Sequence, residues 1–144
     1  VYLVDTDVVS EWRRGPAAHP GVQRFFRAAA ERNEALYVSV ITVGEIRRGA
    51  DVVRHRGDLH QARRLDDFFA ALVTQYADRI VDFGFAEAVA WARLRVPNAE
   101  NALDKQIAAT ALTRGWTVVT RNDAHFEDLG VRVLNPFLGL PLDS

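Results

Sequence analysis

Four acids stand where a strand should give way to a helix, or where a helix should begin. Asp5 follows the apolar run Val1-Tyr-Leu-Val, Glu45 lies three residues after Thr42, Asp104 three after Asn101, and Asp123 three after Thr120 with Asn122 beside it. Carboxylates gathered within a few ångströms repel one another and are costly to bury unpaired. A divalent cation resolves that conflict. Oxygen-only ligation, with no His or Cys at ligand spacing, suits Mg²⁺ or Mn²⁺ rather than zinc. Such a cation, held by a few carboxylates and water, serves phosphate-ester chemistry. Each of Glu45, Asp104 and Asp123 also has a structural explanation, as the acid of a capping box or of a helix first turn. Asp5 fits that explanation less well, because Asp7 or Thr6 is the better cap for a helix beginning near Val8.

The elements that would position these acids follow from the hydrophobic pattern. Short apolar runs at Val1–Val4, Ala35–Ile41, Arg79–Phe83, Trp116–Thr120 and Val131–Leu134 read as strands. Between them lie helical repeats: a short helix through Ser10 to Arg14, then Val22 to Arg32, a helix beginning at Thr42, Gln61 to Tyr76, Phe85 to Arg95, and the small-residue stretch Asp104 to Thr113 with Gly115 as its C-terminal cap. Strands alternating with helices predict an α/β fold with a central, mostly parallel sheet. In such sheets ligands bind at the carboxyl ends of the strands, which is where Asp5, Glu45 and Asp123 would meet; Asp104 joins them if its helix packs beside the first strand.

The chain of 144 residues, 49% hydrophobic and 26% charged, is sized for one domain, taken as residues 1–144. No run approaches a membrane span and no signal-like segment is visible, so the expected location is the cytoplasm, with no membrane partner. Zero cysteines exclude a disulfide scaffold and thiolate metal sites. A net charge of −1 selects no partner, although Lys105 is the only lysine among otherwise arginine cations. Arginine suits phosphate through its planar fork. No phosphate-binding glycine pattern occurs, which argues against a nucleotide-binding enzyme.

The segments Leu3-Val-Asp-Thr-Asp-Val-Val-Ser10, Val43-Gly-Glu-Ile-Arg-Arg-Gly49, Leu103-Asp-Lys-Gln-Ile-Ala-Ala-Thr-Ala111 and Val119-Thr-Arg-Asn-Asp-Ala-His-Phe126 resemble the four blocks of PIN-domain ribonucleases. Within that family the likeness is to VapC/FitB-type toxins of type II toxin–antitoxin pairs, and it runs from residue 2 to about Phe137. It implies a Mg²⁺- or Mn²⁺-dependent endoribonuclease that leaves 5′-phosphate and 3′-hydroxyl ends. Asp5, Glu45 and Asp104 carry over as metal ligands. The family's fourth polar position falls on Asn122, which brings no charge; Asp123 is the alternative for that role. The resemblance also implies an RNA substrate, a cognate VapB-like antitoxin, a homodimer and a higher toxin–antitoxin assembly.

Thr6 and Thr120 are placed to hydrogen-bond the ligating carboxylates, or else serve as ordinary turn residues. Arg13, Arg14, Arg47 and Arg48 follow the first two acidic blocks and, with Arg121, offer an RNA path; Arg13, Arg47 and Arg121 are the chosen candidates. Trp12 could stack on a base, but core packing is the better expectation. His19, His55, His60 and His125 share no metal or triad spacing and read as surface or structural. A competing hypothesis is a catalytically degenerate PIN domain that binds RNA or protein, motivated by Asn122. A third is another metal-dependent phosphohydrolase.

Overall fold

The computed structural model describes residues 1–138, so the end of the expected domain, residues 139–144, lies outside the described residues. Five strands form one parallel sheet: β1 (Tyr2–Val4), β2 (Leu36–Ser39), β3 (Ile80–Val81), β4 (Thr117–Val119) and β5 (Arg132–Leu134), in the order β3-β2-β1-β4-β5. β1 lies at the centre, with Leu3 opposite Tyr37 on one side and Val118 on the other. Six helices flank the sheet: α1 (Thr6–Trp12), α2 (Pro20–Glu31), α3 (Val40–His55), α4 (Leu59–Gln75), α5 (Phe85–Leu94) and α6 (Ala102–Arg114). The expected α/β architecture is what forms, with every pairing parallel.

Strand alternation builds the two layers. Consecutive side chains of a strand point to opposite faces, so Leu3 and Val118 meet Ile107, Ala108, Ala111 and Phe126 on one face. Val4, Val38 and Val119 face the other way, into Val8, Val9, Phe25, Phe26, Ile46 and Leu72 from α1 to α4. Trp12 belongs to that second layer, stacked on Phe26 with ring centroids 4.4 Å apart. The alanines of α6 let it lie close against both the sheet and α5, and an ion pair between Glu87 and Arg114 joins α5 to α6. Gly115 ends α6 in the left-handed region at φ +70°, as a C-terminal cap requires.

Three helix caps differ from expectation. α1 begins at Thr6, and its cap is Asp5, whose Oδ1 accepts from the Thr6 N–H at 2.8 Å. Asp7 and Thr6 are therefore inside the helix and do not cap it. α3 begins at Val40 with Ser39 as cap, so Thr42 is an interior, buried helix residue and forms no capping box with Glu45. At α6 the cap position, Asn101, makes no side-chain cap hydrogen bond, which removes the box with Asp104.

The turn Pro136–Leu138 packs on the start of α2, where Gly21 leaves room for it. A Cβ at Gly21 would lie 1.9 Å from the Pro136 carbonyl oxygen. Overpacking of this kind costs about 1–3 kcal/mol, and the gain in helix propensity offsets at most about 1 of that. Gly21→Ala is expected to lower stability in urea denaturation; an unchanged midpoint would show that the turn yields without cost.

Candidate metal centre and comparisons with known proteins

The site lies beyond the carboxyl ends of the two central strands. The Asp5 N–H donates to Val119 O at 2.8 Å and the Thr120 N–H to Leu134 O at 3.0 Å, so both residues sit one step past the sheet. Their side chains are joined there, with Thr120 Oγ1 donating to Asp5 Oδ2 at 2.8 Å. Thr120 Oγ1 also accepts from the Asn122 N–H at 3.1 Å, which fixes the following turn. Thr6 Oγ1 donates to Thr42 Oγ1 at 3.1 Å, tying the start of α1 to α3 one turn before Glu45. Both threonines thus hold the frame around Asp5.

A cavity of about 230 Å³ opens at this point, lined by Asp5, Thr6, Asp7, Ile41, Glu45, Leu103, Asp104, Ile107 and Asn122. Three acids named from the sequence, Asp5, Glu45 and Asp104, come together in it with Asn122. Asp123 does not: its Oδ1 accepts from Asn135 Nδ2 at 3.2 Å, on the side toward β5. Between the two candidates for the fourth position, it is Asn122 that faces the cavity.

Charge crowding shows in the acids themselves. Asp5 is 5% exposed, and burial first, then the Asp7 charge and more weakly that of Asp104, push its pKa up to about 7 despite the hydrogen bonds from Thr120 and Thr6. Burial raises Asp7 as well, against the hydrogen bond from the Arg121 N–H. Asp7 Oδ1 is buried without any hydrogen-bond partner. An orphaned carboxylate oxygen, a crowded acid held half protonated near neutrality, and potential ligand atoms that are all oxygen fit a hard divalent cation. Among the described residues no three Asp, Glu or His side chains are already grouped closely enough to hold a metal ion, so ligation would require these side chains to move closer together.

Sequence reading missed two residues. Asp7 was given only a capping role, which Asp5 in fact fills. His125 Nδ1 lies 2.6 Å from Asp104 Oδ2, a distance at which its N–H donates to the carboxylate, so His125 is a contact of the site and not merely a surface residue. Its position three residues after Asn122, one turn along the same loop, was the only signal. The arginines are dispersed. Arg121 lies beside the cavity, donating its backbone N–H to Asp7 Oδ2 at 3.2 Å while its guanidinium covers Phe137. Arg13 lies over Phe68, and Arg47 pairs with Asp51 and Asp66 along α3 and α4.

Asp5 ordinarily ionises near 3.8, and here near 7. Between those values the folded protein holds a proton that the unfolded chain has released, so stability falls as pH rises through the window. The loss, on the order of 4 kcal/mol, is complete by about pH 8. Asp5→Asn keeps a competent cap and removes the titration. With a chelator present, the variant is expected to melt several degrees above wild type at pH 8, the gap closing toward pH 4; equal melting temperatures at pH 8 would contradict the crowding.

The PIN domain family matches residues 2–131. Over 94% of the chain, 36% of residues are identical to the plasmid stability protein StbB of Pseudomonas syringae pv. tomato, which is covered over 97% of its length. Identity is 32% to the VapC ribonuclease Y4jK of Sinorhizobium fredii and to the toxin FitB of Neisseria gonorrhoeae, each over 94% of the chain and 96% and 97% of those proteins. Among solved structures, FitAB bound to an IR36 DNA fragment superposes with a TM-score of 0.77 at 29% identity, over 100% of both chains. The chain belongs to the PIN-domain family, with VapC- and FitB-type proteins as its relatives.

Proposed function

We propose that this protein is a divalent-metal-dependent endoribonuclease, cleaving RNA phosphodiesters as the toxin of a toxin–antitoxin pair. The observation that carries the reading is the cavity beyond β1 and β4, lined by Asp5, Glu45 and Asp104, in whose wall a buried carboxylate oxygen of Asp7 has no hydrogen-bond partner. Identity to a VapC ribonuclease and a FitB toxin over nearly the whole chain supports the substrate class and the toxin role.

Asp5, Glu45 and Asp104 would hold the Mg²⁺ or Mn²⁺. Bound there, the cation would polarise the phosphodiester and make water a competent nucleophile at neutral pH. The protein's part is orientation. Asp5 uses one lone pair of each oxygen on Thr6 and Thr120, leaving the others for ligation. His125 fixes the carboxylate of Asp104. Asn122 contributes a neutral amide to the wall, able to hold a water or a phosphate oxygen without adding repulsion.

An antitoxin of the VapB type and a homodimer complete the reading. Phe85, 87% exposed, and Val89 leave apolar side chains of α5 uncovered in the monomer, which supports a protein-covered face. None of the described helices is long and apolar enough to cross a membrane.

The test is cleavage of structured and single-stranded RNA by the purified protein, with Mg²⁺, with Mn²⁺ and with EDTA. Losing even an outer partner of a metal ligand costs about 10–100-fold, so Asp5→Asn and Asp104→Asn are expected to lower the rate by about a hundredfold or more with the fold intact. Cleavage that survives either substitution or chelation would sink the reading. RNA bound equally with and without metal, and never cut, would favour the binding module that the neutral Asn122 suggests.

A further inference from the structure

We propose that Asp7 is a cation ligand of this site and supplies the fourth negative charge that Asn122 does not. The proposal rests on the metal-nuclease reading above and extends it to a residue outside the three acids already placed. Asp7 lies two residues after Asp5, in the first turn of α1, and lines the same cavity as Asp5, Glu45, Asp104 and Asn122. The cap of α1 is taken by Asp5, so capping does not account for Asp7.

Its two oxygens are treated differently. Oδ2 accepts the Arg121 N–H, so the carboxylate is anchored to the turn that carries Asn122. Oδ1 is buried and has no donor among the described residues, nor does any Lys or Arg side chain form an ion pair with Asp7 there. A first-turn acid is favoured by the helix dipole, and that effect suits an acid left in water. It does not explain a carboxylate set beside Asp5 and Asp104 with one oxygen desolvated and unpaired, which only raises the cost of folding. A cation satisfies that oxygen and screens all three acids together. Asn122 on the same wall is then intelligible: with Asp7 charged, a further acid there would add repulsion.

The experiment is calorimetric titration of Mn²⁺ into wild type, Asp7→Asn and Asp5→Asn, with thermal melts of each in chelator. Asp7→Asn keeps the shape and an oxygen to accept the Arg121 N–H. It is expected to bind Mn²⁺ about tenfold more weakly or worse, and to melt, metal-free, at or above the wild-type temperature. If Asp5→Asn loses Mn²⁺ while Asp7→Asn keeps wild-type affinity and stoichiometry, the metal site stands and the role of Asp7 falls. A metal-free Asp7→Asn that melts below wild type would mark a structural acid and overturn the proposal. Absence of Mn²⁺ binding in wild type would remove both the site and the proposal.

Discussion

The structure turns on one carboxyl group. Asp5 is buried at the end of the central strand and does three jobs: it extends the pairing of β1 with β4 through its N–H, caps α1 through Oδ1, and takes the Thr120 hydroxyl on Oδ2. These contacts fix its position to within a hydrogen bond, and they do so in a place where Asp7 and Asp104 oppose its ionisation. Good local geometry and unfavourable charge are built into the same residue. That combination is what a cation site demands, since a group already oriented loses little freedom on ligation and gains relief from its neighbours.

The remainder of the fold brings the other acids to that point. β1 lies in the middle of five parallel strands, so α3 and α6 approach its carboxyl end from opposite layers. α3 is set by Ser39 and by the contact of Thr42 with Thr6, which places Glu45 one turn further on. α6 brings Asp104 close because its alanines allow near contact with the sheet. The loop after β4 supplies Asn122 and His125 from a turn held by the same Thr120 hydroxyl. Four separate stretches of sequence thus meet at a common edge.

Much of this was legible from sequence. The alternation of apolar runs and helical repeats gave the strands and helices, and the positions of Asp5, Glu45 and Asp104 pointed to the cavity they line, because both rest on local patterns. Strand limits were less readable: β2 and β3 are shorter than their apolar runs, since pairing length depends on neighbours that sequence does not show. The capping assignments failed for a related reason. Asp5, Asp7 and Thr6 are all acceptable caps by type, and the choice was made by where β1 stops pairing with β4. Once Asp5 became the cap, Asp7 was released into the cavity. The pairing of His125 with Asp104 spans 21 residues and carries no spacing signature, so only the folded loop reveals it. Asn122 and Asp123 are neighbours with similar side chains, and the hydrogen bond from Asn135 decides that Asp123 turns away.

On this reading the crowded acids at the end of β1 form a cation site whose key carboxyl is still largely protonated below neutrality. Mn²⁺ titration by calorimetry in two buffers of different ionisation enthalpy, at pH 6 and pH 8, tests it directly, because a ligating carboxylate must give up its proton. With Asp5 titrating at about 7, saturable binding is expected with release of about one proton per cation at pH 6, falling toward none at pH 8. Heats that do not depend on buffer at either pH, or no binding at all, would contradict it.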